Sequence, residues 1–331
     1  MLFVKQKDKR KDVLRFYDIV KKQNYENTKN IIYEFREIVI DKTGRKTNNI
    51  LRYYYIIMPK YSRERGNMKT IVLANQKGGV AKTTTAFALA CELGMMYRVL
   101  AIDGDPQGNL SYMALGNNIG KSLEDIFFKD AHIADVAERS TNNIFDCVPC
   151  TLSLSNADRR LTGSFDYLKI RKALSECTDK YDYCIIDSPP NLGVLCVNYL
   201  TSADEVVIPV DPCVFSVQGM AMIAELVKGI KENANPNINI TGVLLTKIVR
   251  GSKLFKASYD IVAQQSKKLL DTTVFETVIR HSVQVGASQL ERKDIFNYAR
   301  NKGVAEDYHK WVEELLRRRN NGQYRLFRPY S

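Results

Sequence analysis

A glycine-rich segment near residue 80 carries residue types that bind phosphate. It reads Asn75-Gln76-Lys77-Gly78-Gly79-Val80-Ala81-Lys82-Thr83-Thr84-Thr85 and joins a short β-branched run to a helical stretch. Backbone N–H groups in such a loop, together with the helix N-terminus, can surround phosphate oxygens. Lys82 can neutralise the β- and γ-phosphate oxygens, and the Thr83 hydroxyl can bind Mg²⁺. The segment therefore predicts a site for a nucleoside triphosphate and its metal.

Two positions separate this segment from the ordinary P-loop pattern. Ala81 stands where that pattern has its second glycine, and Lys77 is an additional lysine at the start of the loop. An alanine there predicts a backbone φ below zero, which its Cβ permits. A glycine turn that simply precedes a helix is the other, less favoured interpretation.

Two acidic motifs follow the glycine-rich segment. Asp103 and Asp105 are two residues apart at the end of a second β-branched run. On an extended segment they point the same way, so both can face a phosphate and its metal. A solvated acidic turn is the alternative. Asp187 ends a third run, as expected of a carboxylate that holds Mg²⁺ directly or through water.

From Met68 onward, short β-branched runs alternate with longer amphipathic segments. This alternation predicts an α/β fold with a mostly parallel, twisted sheet and helices on both faces. The runs that we interpret as strands are 70–74, 99–102, 183–186, 205–210 and 238–245.

The first 67 residues differ in character from the rest. The whole chain of 331 residues has a net charge of +12, and +9 of it falls on residues 1–67, which hold 17 Lys plus Arg and 8 Asp plus Glu. A helix is predicted over 12–22 and strands over 31–40 and 50–57. Residues 1–67 are interpreted as a small basic N-terminal extension, either an accessory segment for DNA or partner binding or a region upstream of a natural start at Met68. No helix-turn-helix pattern is evident.

The C-terminal residues 319–331 form a second basic segment. The five arginines after Glu314 alternate with aromatic residues. Such a tail can track a phosphate backbone, or it can be a helix end with favourably placed positive charge.

Composition excludes several other classes of protein. Hydrophobic residues make up 45% of the chain and charged residues 26%, and no apolar run is long enough to span a membrane. The charged N-terminus lacks the apolar core of a secretory signal, so a cytoplasmic location is expected. The seven cysteines are scattered, and the lone Cys147-x-x-Cys150 is interpreted as two buried strand residues rather than a zinc site.

Together the three motifs resemble the ParA/MinD class of deviant Walker ATPases, and most closely the ParA (Soj-like) partition proteins. Lys77, before the glycine pair, is the signature of that superfamily. The stretches 103–109 and 187–193 look like its second and third motifs. The resemblance covers 68–318, which we take as the ATPase domain, and none of 1–67.

The resemblance implies an ATPase of weak intrinsic activity that uses ATP and Mg²⁺. Two subunits would enclose two ATP molecules, with Lys77 crossing to the partner's phosphates and Asp105 orienting the attacking water. The residues implied in catalysis are Lys77, Lys82 and Asp105; those implied in nucleotide binding are Lys77, Gly78, Gly79, Val80, Ala81, Lys82, Thr83, Thr84, Thr246, Pro209 and Asp211; those implied in metal binding are Thr83, Asp103 and Asp187.

The resemblance also implies the partners. Such proteins form a homodimer in the ATP state, bind DNA non-specifically on the nucleoid, and respond to a ParB-type centromere-binding protein. After Ile279 this chain departs from the family's proline and arginine, since it has Arg280 and His281, and Gln284 stands where another arginine is common. The candidate DNA contacts are therefore neighbouring basic residues: Arg250, Lys253, Lys256, Arg280, Arg292 and Lys293.

Two alternatives belong to related classes. A MinD-like membrane-associated positioning ATPase would need an amphipathic C-terminal helix, whereas Leu326 and Phe327 are the only apolar anchors in the Arg-rich end. Two anchors give little membrane affinity, so no stable membrane association is expected. An iron-sulfur electron carrier like the nitrogenase iron proteins would need cysteines in other loops than Cys147 and Cys150. Whether the cargo is a plasmid, a chromosome or a conjugative element stays open.

Overall fold

A computed structural model describes residues 68–117, 119–163, 165–212, 216–249, 253–299 and 303–319, without the side chains of 216 and 253–257. The helix and strands predicted within 1–67, and the basic tail from residue 320, lie outside these ranges. Among the described helices, none combines the length and apolar character needed to cross a membrane.

Within the described ranges, the strands form one seven-stranded sheet in the order β3-β4-β2-β5-β1-β6-β7. Every pairing is parallel except that of β3 with β4 at one edge. The mostly parallel sheet predicted from the sequence is thus confirmed, with β1, β2, β5, β6 and β7 at the predicted runs. The bounds are β1 Lys69–Leu73, β2 Val99–Asp103, β3 Glu138–Arg139, β4 Asp146–Val148, β5 Tyr183–Asp187, β6 Glu205–Val210 and β7 Asn239–Leu245.

Helices cover both faces of the sheet, as predicted. Alternate residues of β1 enter two separate cores, Ile71 and Leu73 on one face and Val72 on the other. The helices are α1 Lys82–Gly94, α2 Asn109–Leu115, α3 Leu123–Lys129, α4 Ile133–Val136, α5 Ala157–Arg160, α6 Lys169–Ser175, α7 Val194–Ser202, α8 Ser216–Asn233, α9 Lys253–Leu270, α10 Val283–Leu290, α11 Ile295–Tyr298 and α12 Val304–Arg319.

Two of these helices frame the functional end of the molecule. Leu89 of α1 and Trp311 of α12 are fully buried in the same core as Ile71. The Tyr308 hydroxyl of α12 lies 3.3 Å from the Thr85 hydroxyl of α1. The helix that follows the glycine-rich segment is therefore fixed between the sheet and the last described helix.

The strand order brings the three sequence motifs together. Leu73, at the end of β1, pairs with Asp187 of β5, and Asp103, at the end of β2, pairs with the same residue. Loops at the carboxyl ends of adjacent parallel strands converge on one edge of the sheet, where such folds bind ligands. The fold itself thus places both acidic motifs beside the glycine-rich segment.

The Cys-x-x-Cys pair lies in the core. Cys147 is on β4 and Cys150 follows the strand, and both are buried. Among the described residues, no group of three or more His, Cys, Asp or Glu side chains could hold a metal ion. The interpretation as buried cysteines is confirmed, with Cys150 just past the strand rather than on it.

Candidate nucleotide-binding site

The glycine-rich segment turns sharply between β1 and α1. Gly79 and Ala81 both have left-handed backbone conformations, with φ of 72° and 65°. The prediction that Ala81 has φ below zero is therefore wrong. The physical reason is the turn of the loop: Ala81 is the N-cap of α1, its carbonyl accepts the first helical bond from the Thr85 N–H (2.9 Å), and the turn from Gly79 into the helix holds it in the left-handed conformation. An alanine there costs roughly 1 kcal/mol relative to glycine.

Side-chain hydrogen bonds anchor this loop to neighbouring strands. The Asn75 side chain donates from Nδ2 to the Pro209 carbonyl (2.7 Å) and accepts the Lys77 N–H at Oδ1 (3.0 Å). The Thr246 hydroxyl, at the end of β7, donates to the Val80 carbonyl (3.1 Å). The loop is thus tied to β6 and β7. No sequence pattern signals the anchoring role of Asn75.

Lys82 is a buried cation at the start of α1. Its side chain is nearly inaccessible, and Nζ donates to the Lys77 carbonyl (3.2 Å) across the loop. Burial lowers the pKa of Lys82, while the nearby carboxylates of Asp187 and Asp105 raise it. A desolvated ammonium beside the glycine-rich loop is suited to bind phosphate oxygens.

Asp187 is the unpartnered acid of the site. It is fully buried at the end of β5, and in the part of the chain that the structure describes neither carboxylate oxygen has a hydrogen-bond partner. Burial and the neighbouring Asp103 raise its pKa, and nearby Thr83 and Lys82 oppose that shift. A buried carboxylate is costly without a compensating partner. Oxygen ligands from a carboxylate and the Thr83 hydroxyl are those that Mg²⁺ prefers, so these residues fit that ion.

Asp103 is equally buried, but both of its carboxylate oxygens already accept hydrogen bonds from within the chain. Its Oδ2 accepts the N–H (2.7 Å) and the hydroxyl (2.6 Å) of Ser111 on α2, and its Oδ1 accepts the Asp105 N–H (3.3 Å). Burial raises the pKa of Asp103 to about 7. Asp187, rather than Asp103, therefore offers open carboxylate oxygens to a metal.

Asp105 lies on a turn that follows Asp103, whereas the sequence predicted that both acids lie on one extended segment. The extended segment ends at Asp103, because the Asp105 N–H bonds back to that residue and the Gly108 N–H bonds to the Asp105 carbonyl (2.9 Å). The resulting turn places Asp105 on the wall of the cavity next to the glycine-rich loop, while Asp103 faces α2.

Gly104 permits the close approach between the two acidic motifs. Its N–H donates to the Asp187 carbonyl (2.9 Å), and its own carbonyl accepts the Tyr199 hydroxyl (3.1 Å). A Cβ at this position would lie 2.5 Å from the Tyr199 ring and 2.6 Å from the Asp187 carbonyl oxygen. Only glycine fits between these groups.

A cavity of about 770 Å³ lies beside the glycine-rich loop. This volume is within the usual range for small-molecule sites. One side is formed by the loop and the start of α1, and the other by α10, where the Gln289 side chain donates from Nε2 to the Thr84 hydroxyl (3.0 Å). The predicted catalytic, nucleotide and metal residues that line it are Gly78, Gly79, Ala81, Lys82, Thr83, Thr84, Asp105 and Thr246, and Arg280, predicted as a DNA contact, lines it as well.

The other predicted nucleotide-binding residues are not among those that line this cavity. Lys77 is partly buried at the start of the loop, and Val80 is buried beneath it. Pro209 is buried within β6, and Asp211 follows that strand half-buried. The structure therefore joins Pro209 to the site through its bond with Asn75 rather than through the cavity wall.

The candidate DNA contacts have different surroundings. The Arg280 guanidinium makes a bidentate ion pair with the buried Asp307, with distances of 2.5 and 2.6 Å, which raises the pKa of Arg280. Lys293 pairs with Glu291 at the surface (2.7 Å), and Arg292 is exposed. Lys253 and Lys256 begin α9, where side chains are not described, and Arg250 lies outside the described residues.

The parallel sheet, the glycine-rich loop with its buried lysine and the unpartnered strand-end aspartate define a P-loop nucleoside triphosphatase. The family model described as "AAA domain" matches residues 68–240. The chromosome-partitioning ATPase Soj of Treponema pallidum (strain Nichols) is 33% identical over 253 residues, which cover 76% of this chain and 98% of that protein. The chain belongs to the ParA/Soj family of partition ATPases.

Solved structures support the same assignment. The ATP complex of a Cyanothece McdA variant superposes with a TM-score of 0.69 at 26% identity, covering 80% of this chain and all of that one. A Mycobacterium smegmatis structure described as cobyrinic acid a,c-diamide synthase with bound ADP and magnesium has a TM-score of 0.66 at 25% identity, covering 77% and 97%. The chain is an ATPase that uses ATP and Mg²⁺, as the sequence predicted.

Proposed function

We propose that this partition ATPase switches between an ADP or nucleotide-free form and an ATP-bound homodimer that binds DNA without sequence preference. A ParB-type protein on a centromere-like DNA site stimulates hydrolysis and releases the DNA. The observation that carries the proposal is the site itself: a buried Lys82 and an unpartnered Asp187 beneath a loop that begins with Lys77. The protein acts in the cytoplasm, on the nucleoid.

The open face of the loop supports a dimer. Gly78 and Gly79 are exposed, and a Cβ at either position would have no neighbour within 4 Å. A second subunit can therefore approach the phosphates closely. Lys77 does not line the cavity of its own chain. We infer that its ammonium serves the nucleotide of the partner subunit, where charge develops during phosphoryl transfer.

The other predicted site residues act on the nucleotide of their own subunit. Lys82 and the backbone of 78–84 bind the phosphates. Thr83 and Asp187 hold Mg²⁺, which neutralises phosphate charge. Asp103, bonded to Ser111 of α2, orients the groups around that metal. Asp105 orients the attacking water from the cavity wall. Thr246, with Pro209 and Asp211, contributes to the adenine side.

DNA binding follows from the basic residues of the chain. Arg280 is paired with Asp307, so we place the DNA surface on four of the five other basic candidates, Arg250, Lys253, Lys256 and Lys293. The basic extension 1–67 and the tail 319–331, which precede and follow residues 68–318 in the sequence, add positive charge. Because such contacts are to phosphates, they carry no sequence preference.

The experiment that tests this proposal is the molar mass of the full-length chain in solution. Light scattering with Mg²⁺ and a slowly hydrolysed ATP analogue is expected to give the mass of a dimer. ADP or no nucleotide is expected to give the monomer. The matched control is Lys82→Ala, which removes the buried phosphate ligand and stays monomeric throughout. An unchanged mass with the ATP analogue, under conditions where binding is saturated, would contradict the proposal.

A further inference from the structure

Arg292 occupies a backbone conformation that suits glycine. It follows α10 with a φ of 50°. The Arg292 N–H donates to the Gln289 carbonyl (3.1 Å), and the Lys293 N–H donates to the Ser288 carbonyl (2.9 Å). This is the bonding pattern of a Schellman motif, in which the left-handed residue is usually glycine. A non-glycine residue held in such a conformation requires compensation from its surroundings.

The guanidinium of Arg292 contacts the end of α2. Its Cζ lies 5.9 Å from the centroid of the Tyr112 ring, within the range of a cation–π interaction. A Cβ on Gly116 would clash with Arg292 Nη1, so the guanidinium lies directly against the backbone there. Gly116 caps the C-terminus of α2, where the helix carbonyls favour a positive charge.

The start of α2 is continuous with the acidic loop. The Tyr112 N–H donates to the Gly108 carbonyl (2.9 Å), and the Gly108 N–H donates to the Asp105 carbonyl. Ser111 of the same helix holds Asp103. Since α2 has only seven residues, a shift at its end is passed on to the turn that presents Asp105.

The same segment also contacts the phosphate-binding helix. Gln289, three residues before Arg292, donates to Thr84 on α1. The end of α10 therefore contacts two helices of the proposed catalytic centre. Gln289 contacts α1, which follows the glycine-rich loop, and Arg292 contacts α2, which follows the turn that contains Asp105.

We propose that Arg292 is a positioning residue for ATP hydrolysis: its guanidinium holds α2 so that Asp105 keeps its orientation toward the attacking water. The proposal rests on the proposed role of Asp105. It gives Arg292 a role within the chain that differs from the sequence-based prediction of a DNA contact, since its guanidinium lies against Tyr112 and Gly116 although the residue is exposed.

The test is Arg292→Gly in the full-length chain, assayed without DNA. Glycine suits the left-handed conformation, so the melting temperature is expected to stay the same or rise. Affinity for a fluorescent ATP analogue is expected to change by less than about twofold, while kcat falls by roughly tenfold or more, as for a misplaced catalytic group. Hydrogen exchange of the amides in 104–116 is expected to become faster. Arg292→Lys, which keeps the charge, is expected to recover part of kcat.

The matched control is Asp130→Gly. Asp130 also has a left-handed conformation (φ 51°) at a helix C-terminus, is exposed and does not line the cavity. It is expected to match the effect of Arg292→Gly on stability while kcat stays at the wild-type value. A wild-type kcat for Arg292→Gly would overturn the proposal. If the same variant also bound DNA more weakly, Arg292 would be a DNA contact. Asp105→Ala, measured in parallel, distinguishes failure of the positioning role of Arg292 from failure of the proposed role of Asp105. Wild-type activity of Asp105→Ala would show that Asp105 does not orient the attacking water.

Discussion

Lys77→Ala is expected to bind ATP with nearly wild-type affinity and to hydrolyse it about 10³-fold more slowly. That factor is the lower end of the rate loss seen when a positive charge supplied by a partner to phosphoryl transfer is removed. The reason is that Lys82, not Lys77, lies in the cavity of its own chain and provides the buried cation for phosphate binding. The measurements are the dissociation constant for ATP and the single-turnover rate at saturating ATP.

Mixing variants tests whether Lys77 acts across the dimer. A mixed dimer of Lys77→Ala with Asp105→Ala contains one complete site, because the Lys77→Ala subunit keeps Asp105 and receives Lys77 from its partner. An equimolar mixture is expected to recover about a quarter of wild-type activity, since about half of randomly formed dimers are mixed and each has one complete site of two. No recovery would place Lys77 in its own site and contradict the trans role.

Asp105→Ala is expected to lower kcat by about 10²-fold or more, the usual contribution of a residue that activates a nucleophile. ATP binding, dimer formation and DNA binding are expected to persist, because Lys82, Thr83 and Asp187 are untouched. The protein would then be held in the DNA-bound state. The measurement is ATP turnover beside DNA binding of the same sample.

The control for this prediction is Asp105→Asn. An asparagine keeps an oxygen that can accept the Gln107 N–H, which in the wild-type chain bonds to Asp105 Oδ1 at 3.0 Å. The turn is therefore preserved while the negative charge is lost. The expected result is turnover as low as that of Asp105→Ala. Normal hydrolysis by either variant would show that another group orients the water.

The sequence was sufficient for the parts of the fold that depend on local pattern. The β-branched runs marked the five longest strands, and the motif at 75–85 marked the phosphate loop. The strands β3 and β4 were not predicted, because two and three residues are too short to show a periodic pattern. The φ of Ala81 was predicted wrongly, since the loop geometry overrides the preference of the residue.

Contacts between distant residues could not be read from the sequence. Gln289 and Thr84 are 205 positions apart, and neither residue type signals the other. The same holds for Asp103, whose carboxylate is satisfied by Ser111 in a helix that no motif announces. The sequence identified the charged residues that the structure brings to the glycine-rich loop, and only packing shows that Asp187 is the unpartnered acid among the described residues of the site.

The most direct test of the central claim is DNA binding by the full-length protein with ATP, ADP or no nucleotide across a salt series. Binding only with ATP is predicted, equal for unrelated DNA sequences, with affinity falling steeply as salt rises because phosphate contacts release counterions. Equal binding in all three nucleotide conditions would contradict an ATP switch. If that binding also vanished in a chain beginning at Met68, the DNA-binding element would be residues 1–67 instead.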